Sequence, residues 1–262
     1  MLEKAMIMEP NTRQSSLPGI LPNLLAFAFG LGLAYFQRWE VTDLVWSLWL
    51  GSLVIGYLTI FSALGAMAYL GLHAIKQKEF DQTQRIPIIA AGAGFGLFIL
   101  GFFSFHFGGF HAGHSVFLQS FFPIAGIPGD GFGSAFVNPP LLWALAFKHL
   151  LKPYGLFLLP AIVVERQMVF RPIADAFKTL RSNNSRASFS LAGSLIGESP
   201  LKSAMIRPYL NVVRMHLLIF FFAFSAVLNI DSFAVYAVVY FVYFFPWAEL
   251  KKLRHKNVPQ RQ

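Results

Sequence analysis

Three histidines crowd one stretch of this chain, GFFSFHFGGFHAGHSVFLQSFF at 101–122, among phenylalanines and glycines. The imidazole nitrogens of His106, His111 and His114 suit zinc, copper, iron or haem iron. His111 and His114 stand three residues apart and share a helix face. His106 and His114 stand eight apart, which on one continuous helix means roughly 80° of rotation and about 12 Å of rise. A single ion can reach all three only if the chain folds at Gly108–Gly109. No HExxH pattern accompanies them, and no carboxylate lies nearby to orient a ligating ring. The competing reading is a set of imidazoles that hydrogen-bond at the non-cytoplasmic membrane surface. Whether a metal or haem is bound stays open at this point.

Other polar positions sit inside apolar runs. Arg214 is expected to snorkel toward the cytoplasmic surface, which places His216 near that side and His106 near the opposite one. The two histidines therefore do not share a site, and His216 reads as a polar helix-packing residue. Lys148 and His149 are adjacent and point to different faces. They fit an interfacial helix with an exposed polar side, or a crossing helix that turns His149 toward the His106 cluster. No catalytic residue is assigned. The chain has no Walker loop, no GxSxG, no dinucleotide fingerprint and no paired carboxylates in its apolar runs. Gly92, Gly94 and Gly96 lie in an apolar run without a strand and read as packing glycines. With no cysteine there is no thiolate nucleophile, thiolate metal site or disulfide.

The elements that must carry these residues are membrane helices. The 262 residues are 56% hydrophobic and 13% charged, with a mean hydropathy of +0.57 and 30 phenylalanines. Soluble domains carry about 25% charged residues. Six spans of about 20 residues match the apolar sequence available and leave one integral membrane domain. The reading is all-α. The spans are expected at 17–36, 44–72, 86–107, somewhere within 139–164, 209–228 and 232–248. The third apolar stretch, 86–122, is too long for one crossing at 1.5 Å per residue. It is expected to break at Gly108–Gly109, with the histidine-rich remainder as a second helical piece. Asn138 before Pro139 and Pro140 reads as a helix N-cap. Pro153 and Gly155 disturb this helix, leaving one kinked span or an interfacial helix plus a short span.

Lysine and arginine test this layout. From the N-terminus, successive non-spanning regions carry 2, 1, 3, 0, 7, 0 and 5 of them, so alternate sides hold 17 and 1. That asymmetry predicts a multi-pass protein of the inner (cytoplasmic) membrane with both termini cytoplasmic. Residues 1–16 form a cytoplasmic segment, 165–207 a cytoplasmic loop containing a helix-like piece, and 249–262 a basic tail. The net charge of +9 is accounted for in this way, without a nucleic-acid partner. The expected partners are the lipid bilayer and other membrane subunits. No internal repeat of the transporter kind is apparent.

Three pieces of the chain resemble a family of prokaryotic integral membrane proteins catalogued as a domain of unknown function. They are LWLGSLVIGYLTIF at 48–61, the stretch holding His106, Gly108, Phe110 and His114, and RPYLNVVRMHLLI with Pro208, Tyr209, Met215 and His216. Asn211, Val212 and the Lys148–His149 pair depart from the family pattern. The resemblance implies a membrane location and no assigned reaction. The leading expectation is an accessory or scaffold component of a membrane assembly. The alternatives are a histidine-ligated metal or haem protein and a small-solute permease.

Overall fold

The computed structural model describes residues 17–77 and 81–181, together with Val213, Leu217, Phe220, Phe221, Phe224, 237–241 and Phe245. Among the described residues the regular structure is helical. α1 is Leu17–Phe36, α2 Val41–Gln77, α3 Gln82–Phe121, α4 Pro139–His149, α5 Leu151–Tyr154 and α6 Leu158–Arg181; short 3₁₀ turns cover Gly133–Ala135 and Gly155–Phe157. α2 and α3 are each long and apolar enough to cross a membrane, and the bent pair α4 with α5–α6 makes a third candidate. The expected spans at 209–228 and 232–248 lie mostly outside the described residues.

α1 keeps the expected bounds, and its end is built from backbone chemistry. The Trp39 amide donates to Ala34 at 2.9 Å and the Arg38 amide to Tyr35 at 3.2 Å, while Arg38 takes φ 55°. This is a Schellman closure, with arginine where glycine is usual. Asp43 then reaches back to accept the Glu40 amide at 2.9 Å and starts α2. Its other oxygen accepts the Tyr154 hydroxyl at 2.9 Å, tying α2 to α5.

Three contacts fix the direction of α6. Asp43 bonds Tyr154, Gly51 faces Ala161, and the Tyr69 and Phe177 rings lie 4.9 Å apart. α6 therefore runs parallel to α2. α1 runs against both, since Asn23 accepts from Arg166 while the Trp39 ring meets Tyr154 and Phe157. α3 also runs against α2. Trp46 bonds the Phe122 carbonyl, Ser52 meets His111, and Tyr57 meets Phe103. Residues 37–40, 122–138 and 150–157 thus gather at one end of the molecule, the loop end.

The main core lies between α2, α3 and the 122–157 region. Trp46, Trp49, Phe103, Phe107 and Phe132 are fully buried there. A smaller cluster of Ala66, Leu70 and Ala176 joins α2 to α6 at the other end. Gly56 is the socket of the main core, because a methyl group there would overlap the Phe107 ring. Of the other α2 glycines, Gly51 lies beside Ala161, whereas Gly65 and Gly71 face open space.

One expectation is corrected here. α3 does not break at Gly108–Gly109 but runs unbroken for 40 residues. Glycine in a helix costs about 1 kcal/mol relative to alanine, too little to end a helix that is packed on both sides of it. Both glycines instead admit neighbours. Gly108 lies against Tyr57, Leu142 and Pro139, and Gly109 against the Phe136 carbonyl. The helix-like piece expected within 165–207 is the continuation of α6, which stays helical to Arg181. Within 139–164 the chain turns by 62° between α4 and α5–α6, at Leu150 and just before Pro153. The Asn138 cap is as expected, with the Leu141 amide donating to its side chain at 3.2 Å.

Candidate functional site

α3 carries a stripe of polar residues spaced by four, His111, Ser115 and Gln119, which places all three on one side of the helix. The stripe faces α2 and the segment after α3. Each member binds something definite. Gln119 donates to the carbonyls of Ile124 and Ile127 at 3.3 and 3.2 Å and accepts the Ile124 amide at 3.1 Å. Ser115 donates to Ala112 at 2.6 Å and accepts the Phe132 amide at 2.7 Å. Together they fasten the 122–132 segment onto α3.

The fully buried His111 ring is held from both sides. Nδ1 lies 3.0 Å from the Phe107 carbonyl. A carbonyl only accepts, so Nδ1 carries the proton. Nε2 is then the acceptor for the Ser52 hydroxyl of α2, at 3.3 Å. Both ring nitrogens are occupied by protein groups. Trp49 of α2 donates its indole N–H to the His111 carbonyl at 3.0 Å, and Trp46 donates to Phe122 at 2.8 Å. Two tryptophans about one turn apart thus anchor α2 to the last third of α3. Gly131 completes the fit. Its φ is +58°, and a methyl group there would overlap the Ser115 carbonyl.

The other expected site residues are dispersed. His106 is exposed, stacked on Phe102 at 5.7 Å and edge-on to Phe110 at 5.0 Å. His114 is buried, its ring 6.3 Å from that of His111. Because α3 is unbroken, His106 and His111 point roughly 140° apart. The three-histidine constellation is therefore not assembled. Among the described residues no group of three or more histidine or acidic side chains could hold a metal ion. His111 has both ring nitrogens engaged by protein groups and His106 faces away, so these three side chains do not converge on one ion. His149 is half-buried at the end of α4, beside Phe132 and Gly126 and not with His106. Lys148 is exposed. Arg214 and His216 lie outside the described residues.

The stripe's partners are not legible in the sequence. Ser115 and Gln119 read as ordinary polar positions at the end of an apolar run, although their spacing of four from His111 is visible. Nor does the sequence show that Asn23 and Arg166 join α1 to α6, through a bond from Nη1 to Oδ1. The helix-like piece read there includes Arg166, but only the packing of α6 against α1 brings it beside Asn23.

Residues 9–244 match a family described as "Family of unknown function (DUF6498)", and the chain belongs to it. No curated protein and no solved structure matches the chain.

Proposed function

Starting from membership of a family with no assigned activity, we propose that the chain is a six-span protein of the inner membrane. Both termini are cytoplasmic, and the protein serves as an accessory or scaffold component of a membrane assembly. The relative helix directions support the layout. α1 and α3 run one way and α2 and α6 the other, as alternating crossings require. The loop end carries Arg38, Lys148 and Lys152, while Lys76, Arg85, Arg171, Lys178 and Arg181 lie toward the opposite end of these helices. The basic end is the cytoplasmic one in this reading.

The observation that carries the scaffold role is the uneven burial of two equally apolar helices. Within its most apolar window α2 is 56% buried and α3 only 11%. The first half of α3 leaves α2 beyond Ile99 and presents Ile86, Ile89, Phe95, Leu97, Phe98 and Phe102 outward. Gly92, Gly94, Gly96 and Gly101 on that half have open space around them. Small residues on an outward helix let a neighbouring backbone approach closely. The buried stripe residues His111, Ser115 and Gln119, by contrast, are engaged in holding the fold.

Native gel electrophoresis of membranes solubilised in mild detergent tests this role. The chain is expected to migrate in a complex larger than itself. Replacing Gly92 and Gly96 together by tryptophan is expected to release it to the size of the lone chain with thermal stability unchanged. A wild-type protein already running at the size of the lone chain overturns the scaffold role.

A further inference from the structure

Arg166 differs from its neighbour Arg171. Arg171 is exposed and pairs with Asp175 at 3.2 Å. Among the described residues no carboxylate lies within salt-bridge distance of Arg166. Its Nη1 donates to Oδ1 of the buried Asn23 and to the Val163 carbonyl one turn back. The bond to Val163 holds the guanidinium against the surface of α6. Asn23 is six residues inside α1, about 9 Å along its axis. The charge therefore lies below the end of an apolar helix, with Nε and Nη2 beyond the two bonds that Nη1 makes. Isolated cations at such depth are costly and mark functional positions, and a guanidinium fork matches the two oxygens of a phosphate.

Its surroundings point to a source for those oxygens. Leu159, Val163 and Phe170 are exposed at i−7, i−3 and i+4 from Arg166 and share its side of α6. An apolar stripe interrupted by one cation suits a molecule with a hydrocarbon chain and a single anionic group. We propose that Arg166, positioned by Asn23, binds the phosphate of an anionic lipid of the cytoplasmic leaflet, whose acyl chain runs from there along Val163 and Leu159 toward the loop end. The site rests on the proposed membrane embedding but is independent of the scaffold role.

Native mass spectrometry of the full chain in mild detergent tests it, with phosphatidylglycerol, phosphatidylcholine and inorganic phosphate as separate probes. The wild type is expected to retain one phosphatidylglycerol per chain and neither of the other two. Arg166→Gln is expected to lower that occupancy at least tenfold, Arg171→Gln to leave it unchanged, and Arg166→Lys, which keeps the charge but not the fork, to give an intermediate value. Should Arg166→Gln fail to fold, the Lys variant alone decides, and full occupancy there overturns the site. Equal retention of phosphatidylglycerol and phosphatidylcholine, no retention by the wild type, or retention of inorganic phosphate in place of lipid also overturns it. Complex size on native gels and labelling of the two membrane faces report separately on the scaffold role and on the embedding.

Discussion

His106 and His111 are chemically alike in the sequence and opposite in the fold. His111 is enclosed by Phe107, Ser52 and Trp49, whereas His106 lies outside between two phenylalanines. His111→Ala removes two hydrogen bonds, strands the Ser52 hydroxyl and opens a cavity, so a loss of about 2–4 kcal/mol is expected. His106→Ala is expected to stay within about 0.5 kcal/mol. Thermal unfolding in detergent checks both, and equal losses would mean that the α2–α3 seam is misassigned. Gly131→Ala is expected to be at least as damaging as His111→Ala. It forces a side chain into the left-handed region and onto the Ser115 backbone. That position is legible in the sequence only as one glycine in a turn-rich segment. The contact that makes it irreplaceable is made to Ser115, far back along α3, which no local pattern reveals.

At the scale of elements, the sequence is most informative where local chemistry decides. Asn138 before Pro139 and Pro140 places α4, because caps and first-turn prolines act within one turn. It is least informative where a neighbour decides. Gly108 and Gly109 read as a break because nothing local shows that Tyr57, Leu142 and Phe136 press against them. The helix-like piece after Val164 is legible, but that it continues the preceding apolar helix is not, because α2 residues such as Leu70 and Tyr69 hold the far part of α6 in place. The Gly56–Phe107 socket gives a test at this scale. Gly56→Ala is expected to cost about 1–3 kcal/mol by overpacking. In the Phe107→Leu background the same change is expected to cost less by about 1 kcal/mol or more, since the two sites share one space. Additive losses in a double-mutant cycle would place Phe107 elsewhere.

For the whole molecule, composition alone makes an all-helical chain with membrane-length helices legible, because the scarcity of charge and the length of the apolar runs are properties of the sequence itself. The assembly of a site is not legible, since it depends on which faces meet. The proposed topology places the loop end outside and the far end of α6 in the cytoplasm, and it follows from charge distribution and helix direction together. The chain has no cysteine, so single cysteines can be introduced without background. Gly129 is exposed at the loop end and Lys178 is exposed near the end of α6. Labelling intact cells with a membrane-impermeant maleimide is the most direct test. Gly129→Cys is expected to react in intact cells, and Lys178→Cys only after the inner membrane is opened. Reaction of Lys178→Cys in intact cells, or protection of Gly129→Cys until lysis, would contradict the proposed topology.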